Sequence, residues 1–143
     1  MVLKDHDNNW HDFHEIQRTS LFLQDGDEYD SDFHDQYYFQ PATRFQLLMR
    51  FNDRAVGVTT LDVINVEMGI SRSVAVTEHE QGNGHGKVLG KLVQQFARNL
   101  GLIKICVNAD SEKTGYYLSL GFSPEDWDSK EMAPGILQMK YDL

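Results

Sequence analysis

Residues 74–86, Val-Ala-Val-Thr-Glu-His-Glu-Gln-Gly-Asn-Gly-His-Gly, constrain the fold more than any other stretch of the chain. The small apolar residues at its start are typical of the end of a buried strand, and the polar residues after them are typical of a turn. The glycine-rich run from Gln81 to Gly86 then leads into the most regular helical pattern in the sequence. A turn of this kind exposes backbone N–H groups at the positive end of a helix, where a phosphate binds well. The stretch therefore predicts a site for a phosphate-bearing cofactor.

The helix predicted from Gly84 or His85 to Leu100 carries one apolar stripe, because its apolar residues recur at helical spacing. They are Val88, Leu89, Leu92, Val93, Phe96, Ala97 and Leu100. Gly101 ends the helix, and the apolar run 102–107 reads as a strand. Together with a strand predicted over 67–76, these segments form a β-helix-β unit, so we expect the two strands to be parallel or closely adjacent.

The remaining segments complete a mixed sheet. Strands are predicted at 45–51 and 55–61, with Asn52 and Asp53 forming a hairpin turn between them. We also expect a helix over about 11–23, a short helix from Asp110 or Ser111 to about Leu120, a final strand over 135–141 and a weaker one over 2–4. No repeat or linker interrupts the chain. This pattern predicts one α+β domain.

Composition limits the classes of function. The 143 residues suit one domain with a real core, and the formal net charge of −9 argues against general nucleic-acid binding, which needs a basic face. Cys106 is the single cysteine, and its apolar neighbours predict an inert core thiol. The N-terminus has no apolar signal-peptide core, and no apolar run approaches the roughly 18 residues of a membrane span. We therefore expect a soluble cytoplasmic protein with no membrane or nucleic-acid partner.

Residues 24–44 have no clean period and interleave acidic with aromatic side chains. One interpretation is a solvated acidic loop held by a few aromatic anchors. The other is one wall of an acceptor pocket whose carboxylates attract a cationic substrate. His6, His11 and His14 suggest a metal site at first, and His11 and His14 share one face of the predicted helix. No framework of acidic ligands matches them, so we expect solvated histidines and no metal site.

Two common nucleotide motifs do not fit the glycine run. A dinucleotide-binding fold needs Gly-x-Gly-x-x-Gly after the first strand, whereas the glycines here are 82, 84 and 86 in mid-chain. A P-loop needs Ser or Thr after Gly-Lys, but Gly86-Lys87 is followed by Val88.

The run instead resembles the GNAT superfamily of acyl-CoA-dependent N-acyltransferases. Gln81-Gly-Asn-Gly84-His-Gly86 matches that superfamily's Gln/Arg-x-x-Gly-x-Gly/Ala pyrophosphate loop, and a strand ending in Val-Ala-Val precedes it. One helix and one strand later, Tyr116-Tyr117-Leu-Ser-Leu-Gly121-Phe122 resembles the aromatic-Tyr-x-x-x-Gly-Phe signature. The likeness runs from about Arg44 to the C-terminus. It implies a single GNAT domain over residues 1–143, with a mixed central sheet flanked by helices and two parallel strands splayed at the cofactor site.

The resemblance also implies site residues and acetyl-CoA as the co-substrate. Backbone groups of Val74 and Val76 would bond the amides of the pantetheine arm by strand addition. The pyrophosphate would lie on backbone N–H groups from Gly82 to Lys87, with Gln81 shaping the turn. That set comprises Gln81, Gly82, Asn83, Gly84, His85, Gly86 and Lys87. Tyr117 would sit near the sulfur and protonate the departing thiolate, whereas Tyr116 would serve packing.

The chain departs from the superfamily's pattern in two places. Where many members have Asn and then Ala before the tyrosine, this sequence has Asp110 and Lys113, and its asparagine stands two residues early at Asn108. A shifted loop would let Asn108 contact the pantetheine. The second departure is Ile70, which occupies the place of a glutamate that serves some members as general base. Glu67, Asp62 or a water wire remain candidates for that role.

These inferences favour an enzyme that moves an acetyl group from acetyl-CoA to a primary amine, most simply of a small molecule. An acyl-CoA-binding sensor without turnover and an N-acetyltransferase acting on a protein or peptide remain open alternatives. A homodimer is also possible, since dimers are frequent in the superfamily.

Overall fold

The computed structural model describes residues 10–17, 43–77 and 84–143 of the chain. Three α-helices lie in these ranges: α1 (Trp10–Gln17), α2 (His85–Asn99) and α3 (Thr114–Ser119). The strands are β1 (Thr43–Phe51), β2 (Arg54–Val63), β3 (Met68–Val76), β4 (Lys104–Asp110), β5 (Ser123–Pro124) and β6 (Ile136–Asp142), with a 3₁₀ helix at Ser129–Glu131. The predicted strand 2–4, the end of the first helix and most of the acidic segment 24–44 fall outside the described residues.

The strands form one mixed sheet in the order β1-β2-β3-β4-β6-β5. Among the strands of the described residues, only the β3–β4 pair is parallel, as the β-helix-β pattern predicts, and the other pairings are antiparallel. Asn52 and Asp53 make the predicted two-residue turn, with φ angles of 51° and 63°. Positive φ at both central residues is the requirement of a type I′ turn, which suits the twist of a hairpin.

The parallel strands separate soon after they meet. Their pairing covers Met68, Gly69 and Ile70 opposite Lys104, Ile105 and Cys106. Beyond this, β3 continues through residues 71–76 and β4 through 107–110 without pairing with each other. The separation opens a gap in the middle of the sheet. Because α2 follows β3 in the chain and α3 follows β4, both helices begin at the end of the sheet where these strands have separated.

Helices cover both faces of the sheet, so alternate strand residues face different cores. On one face, α1 packs Phe13 and Ile16 on Leu48, Val58 and Ala75. On the other, α2 and α3 contribute to a larger cluster with apolar residues from the strands. The buried stripe of α2 is narrower than predicted and consists of Leu89, Val93 and Ala97 with Gln94. Val88, Leu92 and Leu100 are between 42% and 52% exposed.

The start of α3 also differs from the prediction. Asp110 Oδ1 accepts the backbone N–H groups of Glu112 and Lys113, both at 3.0 Å. This carboxylate therefore holds a turn, and the helix begins only at Thr114. The helices in the described ranges are too short or too polar to cross a membrane.

Candidate functional site

The N-terminus of α2 is open and has no side-chain cap. Gly84 has φ 82°, a left-handed conformation that favours glycine, and it makes no side-chain cap. Val88 N–H bonds the Gly84 carbonyl, so the N–H groups before it have no acceptor within the helix. The first turn contains no acidic residue, and Lys87 is exposed there. An ideal Cβ on Gly84 would meet nothing within 4 Å, so open space lies beside this turn.

Tyr116 anchors this helix terminus. Its phenol donates to the Gly86 carbonyl at 2.6 Å. Burial raises the pKa of Tyr116 to about 12, so the hydroxyl remains a donor. Tyr116 therefore has a polar role as a hydrogen-bond donor in addition to the packing role predicted for it. Because Tyr116 belongs to α3, the hydrogen bond fixes the start of α2 relative to the second sequence motif.

A bulge shapes the open edge of β3. Val58 pairs with Ala75 and Thr60 with Arg72, so Thr59 alone faces the two residues Ser73 and Val74. Ser73 has φ 55°, which is unfavourable for a residue with a side chain. Bulges reorient the backbone next to them and are common beside functional sites. The backbone of Val74 is therefore turned out of the regular ladder at the point where β3 and β4 have parted.

A cavity of about 230 Å³ occupies the gap between β3, β4 and α3. The residues lining it include Arg72, Val74, Asn108, Asp110, Lys113 and Tyr117. The strand edge, the asparagine and the tyrosine predicted from the sequence therefore surround one space.

Tyr117 is 5% exposed and packs edge-on against the rings of Tyr116 and Phe122, at 5.0 and 5.2 Å between centroids. Burial raises the pKa of Tyr117 well above its usual value of 10, and the nearby Tyr116 and Asp110 add to the rise. The phenol therefore keeps its proton throughout the physiological range. The neutral hydroxyl can donate a hydrogen bond, and its raised pKa makes it a weaker acid than an exposed tyrosine.

Lys113 reaches across the gap. Its Nζ donates to the Val74 carbonyl at 3.0 Å. The contact joins the residue before α3 to the bulged part of β3, and it places an ammonium group beside the cavity.

A charged network extends from Arg72, which lines the far wall of the cavity. Asp62 is fully buried and accepts from Arg44 at 2.6 and 2.9 Å and from Arg72 Nε at 2.9 Å. Arg72 also makes a two-pronged pair with Glu131, at 2.7 and 3.2 Å. Burial alone would lower the pKa of Arg72, but its bonds to Glu131 and Asp62 raise it on balance. The guanidinium is therefore a permanent cation.

Asn108 belongs to the same network. Its amide nitrogen donates to Glu131 at 3.1 Å, and its oxygen accepts from the buried Gln138 at 3.1 Å. Gln138 in turn accepts the backbone N–H groups of Trp127 and Asp128. These bonds hold the segment before β6 against the ends of β3 and β4.

The sequence matches a known family over most of its length. The sequence model of the Acetyltransferase (GNAT) family matches residues 10–122. The chain belongs to the GNAT acetyltransferase family. As a member it is an acyltransferase, and the sequence-based assignment to this family is confirmed. No curated protein matches the sequence significantly.

Solved structures show the GNAT fold at low sequence identity. A GNAT acetyltransferase from Elizabethkingia anophelis with acetyl-CoA bound is 18% identical, with a TM-score of 0.74 over 100% of this chain and 96% of that one. Tetrahymena GCN5 is 15% identical, with a TM-score of 0.78 over 99% and 93%. A Bacillus subtilis acetyltransferase in complex with CoA is 16% identical, with a TM-score of 0.74 over 100% and 97%. The predicted α+β class, with its mixed sheet and splayed parallel strands, is confirmed.

Several predicted GNAT site residues can now be placed. Val74 and Val76 lie at the open end of β3, and Gly84, His85, Gly86 and Lys87 form the start of α2. Gln81, Gly82 and Asn83 lie outside the described residues. Cys106 is buried, which raises the pKa of its thiol to about 11. It is an inert core thiol, as predicted.

Neither carboxylate considered as a base is suited to that role in this GNAT chain. Glu67 directly precedes β3 and is seven residues before Val74, a distance of roughly 23 Å at about 3.3 Å per residue. Both oxygens of Asp62 are held by arginines. Ile70 is 2% exposed and offers no base.

Sequence reasoning missed the contacts of Lys113, Arg72 and Glu131. The signal for Lys113 was present, because a long cation stands where the GNAT motif usually has alanine. Glu131 had no comparable signal, since only the folded chain brings it to a strand 59 residues away.

Proposed function

We propose that this protein transfers an acetyl group from acetyl-CoA to a primary amine of a small molecule by direct attack. The observation that carries this proposal is the convergence of three features on one gap in the sheet. They are the uncapped start of α2, the bulged edge of β3 at Val74 and the protonated phenol of Tyr117.

The described residues fit the parts of acetyl-CoA. The pyrophosphate would lie on backbone N–H groups at the start of α2, where Gly84 leaves open space and the first helical turn contains no acidic residue. Gly86 is consistent with this, because a Cβ there would meet protein only at ordinary contact distances of 3.4 Å or more. Packing within the protein therefore does not require a glycine at position 86, whereas close approach of a ligand to this backbone would require one. The pantetheine arm would add to β3 at Val74 and Val76.

The reaction follows from these positions. The amine nitrogen attacks the thioester carbonyl carbon, and the backbone N–H of Val76 would stabilise the oxyanion that forms. The carbon–sulfur bond then breaks, the amine loses a proton to water, and Tyr117 donates its proton to the thiolate and takes one back from water. No covalent enzyme intermediate is required, which agrees with the inert state of Cys106.

A small acceptor is supported by the charged network that extends from Arg72 at the far wall. Glu131 bonds Arg72 on β3 and Asn108 on β4, so its side chain bridges the two strands where they part. A peptide acceptor needs a groove that is open along its length. The bridge favours a compact amine over a peptide.

Calorimetry with CoA tests binding, and acetyl-CoA consumption across a panel of small amines and peptides tests turnover. We expect micromolar binding and turnover with a small amine. Tyr117→Phe should lower kcat by about a hundredfold, the usual scale of a general acid, and leave the Kd for CoA nearly unchanged. Absence of CoA binding would disprove the proposal. An unchanged kcat would remove Tyr117 from the mechanism, and turnover of peptides alone would favour a protein acetyltransferase.

A sensor that binds acyl-CoA without turnover is the second candidate. It is favoured by one observation on the described residues. Asp110, the carboxylate that lines the cavity there, holds a turn, and Asp62, which bonds Arg72, is paired with arginines. CoA binding without acetyl-CoA consumption over the whole panel would support it. The predicted homodimer and the cytoplasmic location stay predictions.

A further inference from the structure

Lys113 places a positive charge where the leaving group of the proposed reaction would form. Its Nζ lies 3.0 Å from the Val74 carbonyl, on the edge proposed to hold the pantetheine arm. Lys113 and Tyr117 line the same cavity. They are four residues apart, and Tyr117 N–H bonds the Lys113 carbonyl, so both belong to the same side of the first helical turn.

The local backbone fixes this position. Asp110 Oδ1 accepts the N–H of Lys113, and the residue then serves as the N-cap of α3 with φ −99°. A carbonyl oxygen has two lone pairs, so Val74 can accept from Lys113 and from a pantetheine amide together. The ammonium therefore need not leave the gap when the cofactor binds.

Among the described residues that line the cavity, the other charged and titratable groups do not replace this cation. Arg72, from β3, is held by Asp62 and Glu131. Asp110, from β4, bears a negative charge and would disfavour a thiolate, although its Oδ1 is engaged with backbone N–H groups. Tyr117, from α3, is neutral. Burial also makes its phenol a weaker acid, so the thiolate benefits from stabilisation before it is protonated.

We propose that Lys113 is a catalytic residue whose ammonium stabilises the CoA thiolate as the carbon–sulfur bond breaks. Lys113 stays protonated in this step, and the proton that completes CoA comes from Tyr117. The inference rests on the proposed function and deepens it. It assigns a role to the lysine that replaces the small residue of the GNAT motif.

Ionisation of the bound CoA thiol provides the test. The thiolate absorbance of CoA bound to the full chain is followed against pH, with the S-methyl-CoA complex as a blank that has no ionisable thiol. An opposite charge within a few ångströms lowers a thiol pKa by about one unit or more. We therefore expect Lys113→Met to raise the midpoint of the bound thiol by about one pH unit and Lys113→Arg to restore most of the shift. Lys104→Met, at the opposite end of β4, is the matched control and should leave the midpoint unchanged.

The outcomes separate this inference from the proposed function. If CoA fails to bind the wild-type chain, the proposed function fails. If CoA binds and the midpoint is the same in wild type and Lys113→Met, the proposal for Lys113 is wrong even though the function stands. Tighter CoA binding by Lys113→Met with an unchanged midpoint would likewise overturn it, since the lysine would then only compete for the Val74 carbonyl. Turnover should fall about tenfold in Lys113→Met and largely recover in Lys113→Arg.

Discussion

At the scale of single residues, Tyr117 shows how burial sets chemistry. The side chain is 5% exposed, and removal from water disfavours the charged phenolate. The folded protein therefore binds this proton more tightly than the unfolded chain does. This contribution to the free energy of unfolding is fully present below pH 10, the ordinary pKa of tyrosine. It is lost as the pH rises further.

We predict that Tyr117→Phe flattens the alkaline loss of stability. Above pH 10, the buried phenol should cost the wild type about 1.4 kcal/mol of unfolding free energy per pH unit, and phenylalanine removes that contribution. Urea denaturation at several alkaline pH values measures both slopes. Equal slopes in the two proteins would show that Tyr117 ionises in the folded state as readily as in the unfolded chain.

Residue identity indicated part of the candidate site. Gly84 stands in the glycine-rich run that resembles the GNAT pyrophosphate loop, and its φ of 82° is one that favours glycine. The contact of Lys113 with Val74 was not predictable, since it depends on how far the two strands part. Asn108 was placed near the gap, but its amide bonds Glu131 and Gln138, and no local pattern indicates those partners.

At the scale of elements, α2 and α3 approach closely at Gly90. An ideal Cβ there would lie 2.4 and 2.9 Å from the Leu120 methyl groups and 2.9 Å from the Tyr116 hydroxyl. Leu120 is buried and has little room to move. The glycine thus sets the spacing that lets Tyr116 reach Gly86.

We predict opposite effects for two Gly→Ala substitutions. Gly90→Ala should destabilise the protein by about 1–2 kcal/mol, since overpacking outweighs the better helix propensity of alanine. Gly115→Ala is the matched control within α3, where a Cβ meets nothing within 4 Å. It should be neutral or stabilise by up to about 1 kcal/mol. Chemical denaturation of both variants measures the difference, and a neutral Gly90→Ala would contradict the close approach of the helices.

Long periodic elements were predictable and short ones were not. The paired strands and α2 have clear patterns, so their positions agreed with prediction to within a few residues. The strand at Ser123–Pro124 is too short for any period, and proline belongs at a sheet edge. The start of α3 was predicted too early, because aspartate is a common helix-capping residue. The side chain of Asp110 holds the turn before the helix and does not cap the helix itself.

At the scale of the whole molecule, charges connect four segments. Arg44 on β1, Asp62 on β2, Arg72 on β3 and Glu131 before β6 form one continuous network. Asp62 is its centre and is fully buried. Removing one member of a buried pair costs far more than its net contribution, because the partners lose their compensating charge.

We predict that Asp62→Asn destabilises the protein by about 3–5 kcal/mol. Asp12→Asn is the control, because Asp12 forms an exposed pair with Arg50 at 2.9 Å, and such pairs contribute less than about 1 kcal/mol. Thermal and urea unfolding measure both changes. Similar small effects in the two variants would mean that water compensates the charges around Asp62.

The order of the sheet was only partly predictable. The β-helix-β rule indicated that β3 and β4 are neighbours because it concerns consecutive segments. The position of β6 between β4 and β5 results from contacts distant in sequence, and no local signal specifies it.

The short parallel pairing between β3 and β4 has a mechanical consequence. Three pairs of residues form the seam between two leaves of the sheet, one containing β1, β2 and β3 and the other β4, β6 and β5. Above the seam, side chains such as Arg72 with Glu131 and Lys113 reaching Val74 tie the leaves together. A ligand lying in the gap would contact both leaves at once and would connect them. Its binding would stiffen the joint between them.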